Sequence, residues 1–248
     1  MSNLYVISTG RNPNHFLYRC VYSLQTQLAH PTEHIVIDDV SDDGTPDLIA
    51  KLPEYENVSI IQNKERKYRL KNIYEHAIDK DPEDIICLVD TDDYLSDVYV
   101  LDLIKKGYEE NPHVEYIYSQ YVLSTGEIGC SRSIPDPTWD PYTGPWITSH
   151  LCTFKAKAIQ GISIENFLDW NGEWFKIATD HALILPVIHR LKQKTGDYST
   201  IGFINRPTYV HTFHGNPSKP RSGTPEADAR AALAVKCSTY IKQRGYIE

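Results

Sequence analysis

The first hundred residues alternate short apolar runs with segments of helical period, and this alternation constrains the fold more than any other feature. Four apolar runs predict strands, at Leu4–Ser8, His34–Asp38, Val58–Gln62 and Ile85–Val89. Between them, apolar side chains recur at three- and four-residue spacing, which predicts helices. Strands that alternate with helices are typical of βαβ units with right-handed crossovers, so we expect an α/β fold with a parallel sheet.

The helices predicted between these strands span Phe16–Leu28, Thr45–Leu52 and Lys67–Ile78. Pro13 and Pro46 stand where the first turns of two of them would lie, and the first turn of a helix tolerates a missing N–H group. The strand Ile85–Val89 is apolar throughout, as expected for a strand that is covered on both faces.

The second half of the chain gives weaker signals. Residues 115–150 contain short β-like runs that glycine and proline interrupt. A helix is predicted over Asp180–Leu191, and residues 211–223 are predicted to form a polar loop. Thr224 is expected to cap a last helix that ends near Gly245.

Charge and composition exclude several classes of partner. The chain has 248 residues, with 25 Lys and Arg against 33 Asp and Glu, and a formal net charge of −8. Such an acidic chain without a basic run is poorly suited to nucleic-acid backbones or anionic membranes, so we expect no nucleic-acid partner. No apolar run reaches 18 residues, so no transmembrane segment is predicted. Scattered cysteines and the lack of a visible secretory signal favour a soluble, cytoplasmic protein.

Two clusters of carboxylates follow predicted strands, at the sheet edge where α/β proteins bind ligands. Asp39 comes directly after the second strand, and Asp90, Asp92 and Asp93 come directly after the fourth. Three carboxylates in four positions repel one another unless a cation is near. Hard oxygen ligands suit Mg²⁺ or Mn²⁺, so the second cluster predicts a divalent metal site, with helix capping as the competing interpretation.

Six segments in sequence order resemble the family 2 glycosyltransferases of the GT-A fold. They are VIDDVSDDGT, YRLKNIYEHAI, LVDTDDYL, ITSHLCTFKAKAI, ATDHALILPVI and HTFHGNPS. The resemblance covers roughly residues 4–220. It implies a Rossmann-like βαβ nucleotide-binding half, a mixed central sheet and a C-terminal acceptor-binding half. The implied boundaries are a single catalytic domain over 1–224, divided into a donor half (1–95) and an acceptor half (96–224), followed by a C-terminal helix (225–248).

The resemblance also implies an activity. A family member of this kind would move a sugar from a nucleotide-diphosphate sugar, with a UDP-sugar favoured, to a hydroxyl group of a glycan or another acceptor. It would need Mn²⁺ or Mg²⁺ and would invert the anomeric configuration. Asp180 would be the general base that takes the proton from the acceptor hydroxyl.

Site residues carry over from the family position by position. The implied donor-binding residues are Ser8, Thr9, Asp39, Arg69, Asp90 and Asp92. The implied metal ligands are Asp92, Asp93 and His214, and the implied acceptor or lid residues are His150, Trp146 and His211. One departure concerns the base of the donor. The family's usual Pro-x-Tyr-Asn after the first strand is replaced by residues 8–12, Ser-Thr-Gly-Arg-Asn, which lack the aromatic side chain.

Three other functions remain open from the residues alone. A phosphatase of the haloacid-dehalogenase type would use Asp90 as its nucleophile, but that family has Gly-Thr where Asp93 and Tyr94 follow Asp92 here. A nucleotidyltransferase could use the same metal site. A non-catalytic module that binds nucleotide sugars would not need Asp180.

Overall fold

The predicted alternation of strands and helices is present in the computed structural model, which describes residues 2–213 and 224–248. The first half contains β1 (Leu4–Gly10), α1 (Phe16–Gln25), β2 (Glu33–Asp38), α2 (Thr45–Ile49), β3 (Val58–Gln62), α3 (Tyr68–Ala77) and β4 (Ile85–Leu88). The second half contains β5 (Tyr94–Leu95), α4 (Val100–Glu110), β6 (Tyr116–Leu123), β7 (Cys152–Lys155), α5 (Thr179–Thr195), β8 (Ile201–His211) and α6 (Pro225–Arg244).

The strands of the described residues form one mixed sheet in the order β3-β2-β1-β4-β7-β6-β8-β5. Neighbouring strands from β3 to β4 are parallel, whereas β7 pairs antiparallel with both β4 and β6. β8 lies parallel to β6 and pairs with the short β5. The α/β fold with a mixed central sheet is therefore confirmed. Because β1 to β4 are parallel, their carboxyl ends meet at one edge of the sheet.

Burial explains why these segments form these elements. All four residues of β4 are buried, as expected for a strand with helices on both faces. One stripe of α1 is buried, at Leu17, Cys20, Val21 and Leu24, which is the three- and four-residue spacing of an amphipathic helix. No helix within residues 2–213 or 224–248 is long and apolar enough to cross a bilayer.

The structure corrects several boundaries in the second half. β8 continues to His211, although the polar segment around Arg206 and Pro207 hides it in the sequence, and its register with β6 shifts beside Pro207. α5 begins at Thr179 and continues to Thr195, beyond the predicted end at Leu191. The rest of the predicted loop, residues 214–223, lies outside the described residues.

The cap of the last helix is confirmed. The Thr224 side chain accepts a hydrogen bond from the Ala227 N–H group at 3.2 Å, and Pro225 is the first helical residue. Gly245 ends α6 with a φ of 73°, a conformation that glycine adopts without steric cost. Helix start and stop signals therefore located this element correctly.

A buried histidine predicts that stability depends on pH. His34 in β2 is inaccessible to solvent, and its Nε2 lies 2.9 Å from Ser8 Oγ. Burial lowers the pKa of His34 to about 3. The unfolded chain, with a histidine pKa of about 6.5, therefore binds a proton that the folded chain does not. Above about pH 6.5, His34 is neutral in both the folded and the unfolded chain and does not make stability depend on pH. Below that pH, we expect the free energy of unfolding to fall by up to about 1.4 kcal/mol per pH unit.

Urea denaturation between pH 7.5 and pH 4.5 measures this dependence. His34→Gln should lose stability less steeply than the wild type as the pH falls. His113→Gln removes an exposed histidine and is the matched control, which should follow the wild type. Parallel slopes for the wild type and His34→Gln would contradict the assignment of this proton to His34.

Candidate active site

A cleft of about 460 Å³ opens at the carboxyl edge of the parallel strands. Its floor is formed by Thr9 and Gly10 at the end of β1, by Asp39 after β2 and by Asp90–Asp92 after β4. Cationic side chains contribute much of its wall: Arg11, Arg66, Arg69, Lys176 and Arg230. The cleft is therefore rich in charge of both signs, as a site for a charged substrate requires.

Arg69 joins two predicted site residues that are far apart in the sequence. Its Nε donates to Asp90 Oδ1 at 2.6 Å, and its Nη1 donates to Asp180 Oδ1 at 2.8 Å. The Arg69 side chain is 17% exposed, against 22% for Asp90 and 42% for Asp180. Burial raises the pKa of Asp90, although Arg69 opposes that shift. The guanidinium fixes both carboxylates in one place through charge-assisted hydrogen bonds.

Asp180 is the second residue of α5, so it lies in the first turn and not at the N-cap, which is Ala178. Partial burial favours the protonated form, but the nearby Arg69 guanidinium outweighs it and lowers the pKa of Asp180 below its ordinary value. The positive end of the helix dipole also favours a carboxylate here. Leu183 and Leu185 are fully buried and anchor this end of α5. Asp180 is therefore ionised at neutral pH and held in position beside the cleft.

Asp39 organises the segment that leads into α3. Its Oδ1 accepts hydrogen bonds from Asn63 Nδ2 and the Lys67 N–H group, both at 2.9 Å, and its Oδ2 accepts one from the Tyr68 N–H group at 2.9 Å. Burial alone would raise the pKa of Asp39, but these donors stabilise the carboxylate and lower its pKa overall. Asp39 therefore lines the cleft and also holds its wall.

We expect Asp39→Ala to lower the free energy of unfolding by about 2–3 kcal/mol, since two backbone N–H groups and an amide lose their acceptor. Nucleotide affinity should fall as well, because the wall of the cleft loses its support. Urea denaturation and calorimetry measure the two effects. Asp47→Ala, at an exposed position on α2, is the control. A variant with the stability and affinity of the wild type would contradict this account of Asp39.

The three acidic residues after β4 lie in different surroundings. Asp92 is half-buried and lines the cleft with Asp90. Asp93 is 1% exposed and does not line the cleft. Its Oδ2 accepts hydrogen bonds from the Tyr209 hydroxyl at 2.7 Å and from His211 Nδ1 at 2.9 Å, and its Oδ1 accepts one from the Thr212 N–H group at 2.7 Å. The Asp93 carboxylate therefore holds the end of β8 against this turn, and its role as a metal ligand stays a prediction.

Ser8 and Thr9, which were both predicted to bind the donor, also lie in different surroundings. The Ser8 side chain is fully buried, bonds to His34 and does not line the cleft. Thr9 lines the cleft, where its Oγ1 accepts a hydrogen bond from Asn72 Nδ2 at 2.9 Å. Asn72 was not predicted as a site residue. It is a polar residue on the buried face of α3, and this exception to the apolar pattern is the sequence feature that could have identified it.

The predicted acceptor or lid residues surround the site without lining this cleft. The His150 ring stacks on Tyr209 at 4.7 Å and on His211 at 5.4 Å. The hydrogen bond to Asp93 raises the pKa of His211. The Trp146 ring contacts the His181 ring at 4.5 Å, next to Asp180 in the sequence. His214 lies outside the described residues.

The donor set of the cleft is compatible with a divalent cation that the substrate helps to bind. Within residues 2–213 and 224–248, no three Asp, Glu, His or Cys side chains are grouped to hold a metal ion by themselves. Mg²⁺ usually binds through one or two carboxylates together with substrate phosphates. Asp90 and Asp92 both line the cleft, so these two carboxylates meet that lower requirement.

Several solved structures have a similar fold. S. aureus TarS 1–349 matches with a TM-score of 0.59 and 18% identity, over 86% of this chain and 60% of that chain. Its complex with UDP-GlcNAc matches with a TM-score of 0.60 and 16% identity, over 95% and 66%. The mannosyltransferase PcManGT from Pyrobaculum calidifontis, in complex with GDP-Man and Mn²⁺, matches with a TM-score of 0.59 and 16% identity, over 95% and 62%.

These likenesses confirm the predicted GT-A fold. The chain spans less than two thirds of the length of each of these solved chains. A comparison with curated proteins finds no significant match. The sequence model of "Glycosyl transferase family 2" matches residues 5–134, which is just over half of the chain. The chain therefore belongs to glycosyl transferase family 2.

Proposed function

We propose that the chain transfers a sugar from a nucleotide-diphosphate sugar, with a UDP-sugar favoured, to a hydroxyl group of a glycan or another acceptor. The observation that carries this proposal is that Arg69 donates hydrogen bonds to both Asp90 and Asp180. Through this bridge Asp180 lies next to the cleft that Asp90 and Asp92 line. The family and the structures with UDP-GlcNAc and GDP-Man support the class of donor.

The donor half of the site would hold the nucleotide along the sheet edge. Asp90 would accept a hydrogen bond from a ribose hydroxyl with the oxygen that Arg69 does not use. Asp92, with Asp90 nearby, would hold Mn²⁺ or Mg²⁺ against the diphosphate. Such a cation supplies Lewis-acid stabilisation of the negative charge on the departing diphosphate.

Asp180 would act on the acceptor. Its carboxylate accepts the proton of the acceptor hydroxyl while that oxygen bonds to the anomeric carbon and the bond from that carbon to the diphosphate breaks. Arg69 keeps Asp180 ionised and fixed, which positions the base for the transfer. A single displacement of this kind inverts the anomeric configuration. His150, Trp146 and His211 would border the acceptor.

The proposal assigns a separate role to each of three regions of the chain. Residues 1–95 would bind the donor, residues 96–224 would bind the acceptor, and residues 225–248 would form an accessory helix. Arg230 of that helix lines the cleft, which supports a contribution of α6 to the donor site.

A screen of nucleoside diphosphates and nucleotide sugars by thermal shift, with and without Mn²⁺, tests the proposal. A ligand of the native state raises Tm according to its concentration relative to Kd. We expect the largest shifts with a nucleoside diphosphate and Mn²⁺ together, and release of nucleoside diphosphate when a suitable acceptor is added. Hydrolysis of simple phosphomonoesters through a phosphorylated Asp90 would instead support a phosphatase.

A further inference from the structure

We propose that Tyr68, at the start of α3, supplies the aromatic platform on which the nucleobase of the donor stacks. This inference rests on the proposed nucleotide-sugar donor. The segment after β1, where the family usually has an aromatic residue, has Gly10, Arg11 and Asn12 instead. Among the described residues that line the cleft, Tyr68 is the one with an aromatic side chain.

The backbone of Tyr68 is in an unusual conformation. Its φ is 63°, in the left-handed region that bulky residues rarely adopt. The Asp39 carboxylate stabilises this conformation, because its two oxygens accept the consecutive N–H groups of Lys67 and Tyr68 at 2.9 Å each. Non-glycine residues held in such conformations cluster at ligand sites, where the surrounding structure fixes them.

The side chain of Tyr68 is surrounded by charge rather than by the hydrophobic core. It lines the cleft, is half-buried, and belongs to none of the hydrophobic clusters among the described residues. The Arg66 guanidinium carbon lies 4.3 Å from the centre of its ring, and Lys176 Nζ lies 5.6 Å from it. A tyrosine ring with a stacked guanidinium is a suitable surface for a base, since bases stack on both aromatic rings and arginine planes.

Position along the sheet edge assigns the base, rather than the diphosphate, to this surface. Asp90 and Asp92 follow β4, whereas Asp39, which holds Tyr68, follows β2, with β1 between them. Strands are about 4.8 Å apart, so these two places are separated by about 10 Å. A nucleotide whose diphosphate lies near Asp92 spans that distance with its ribose and reaches Tyr68 with its base.

Replacement of Tyr68 by glycine tests the proposal without adding backbone strain. Glycine adopts a positive φ readily, so Tyr68→Gly removes the ring while the loop keeps its conformation. Tyr68→Asn is a second variant without an aromatic ring, because asparagine also tolerates this region. Tyr68→Phe keeps the ring. Tyr22→Ala removes a tyrosine that is 66% exposed and outside the cleft, and it is the control.

Calorimetry with UDP, GDP and inorganic pyrophosphate, each with Mn²⁺, gives the readout. We expect Tyr68→Gly and Tyr68→Asn to weaken the binding of the better nucleotide by roughly 5- to 150-fold, the range of a base–aromatic stack. Pyrophosphate binding should stay unchanged, because pyrophosphate has no base. Tyr68→Phe and Tyr22→Ala should bind like the wild type.

The other outcomes overturn the proposal in distinguishable ways. Wild-type nucleotide affinity in a folded Tyr68→Gly or Tyr68→Asn variant would remove Tyr68 from the base site and leave the proposed function intact. Equal weakening of nucleotide and pyrophosphate would show that the ring does not act on the base. A wild type that binds neither nucleotide would overturn the proposed donor and this inference with it.

Discussion

Asp180→Asn should fold as the wild type does, bind the donor with unchanged affinity and lose about 10²- to 10⁴-fold in kcat, the usual contribution of a general base. Asparagine keeps an oxygen that can accept the hydrogen bond from Arg69 Nη1, now 2.8 Å from Asp180 Oδ1. Its amide cannot take a proton from the acceptor hydroxyl. The change therefore removes the proton acceptor while it leaves the position of the side chain intact.

Steady-state kinetics and donor titration separate these effects. Asp102→Asn, a substitution of the same type on the outer face of α4, should keep the wild-type rate and is the matched control. Proton NMR of the wild-type product should show an inverted anomeric configuration. A retained configuration, or an Asp180→Asn rate within a few-fold of the wild type, would mean that another group acts as the base.

Asp92→Ala is expected to abolish transfer and to make nucleoside-diphosphate binding insensitive to Mn²⁺ or Mg²⁺. Asp92 lines the cleft at the end of β4, where its carboxylate can meet the diphosphate through a cation. Titration of nucleoside diphosphate with and without Mn²⁺ measures the loss. Metal-stimulated turnover in this variant would place the metal ligand elsewhere.

Asp93→Asn distinguishes the two neighbouring carboxylates. Asp93 accepts hydrogen bonds from Tyr209, His211 and the Thr212 N–H group in the interior. The amide that replaces it cannot accept all of them, so stability should fall while nucleotide binding keeps its response to Mn²⁺. Loss of the metal response with unchanged stability would show instead that Asp93 is a metal ligand.

Periodicity predicted the parallel half of the fold because each element there has one unambiguous pattern. β4 is apolar at every position, and α1 and α3 bury one stripe each. β8 was missed since its middle contains Asn205, Arg206 and Pro207, which interrupt any strand pattern. Its pairing with β6 accommodates them through a shift in register, and no local sequence pattern encodes that shift.

The chemistry of the site was predictable where it follows a strand and unpredictable where it depends on distant contacts. The sequence identifies Asp39, Asp90 and Asp92 because they stand at strand ends. No sequence pattern predicts the hydrogen bond from Arg69 to Asp180, because the two residues are 111 positions apart. Nor does the sequence reveal the positive φ of Tyr68, which exists because Asp39 holds it from another loop.

The anchoring of Asp93 by the end of β8 also determines when the site can form during synthesis. Asp93 and its partners at Tyr209, His211 and Thr212 are separated by 116 to 119 residues. At roughly 5–20 residues per second, the ribosome delivers those partners on the order of ten seconds after Asp93. Until then, the acidic turn lacks the hydrogen bonds that anchor it. A nascent chain that ends before β8 would therefore carry the acidic turn without its binding geometry, and donor binding would begin only once the last strand has joined the sheet.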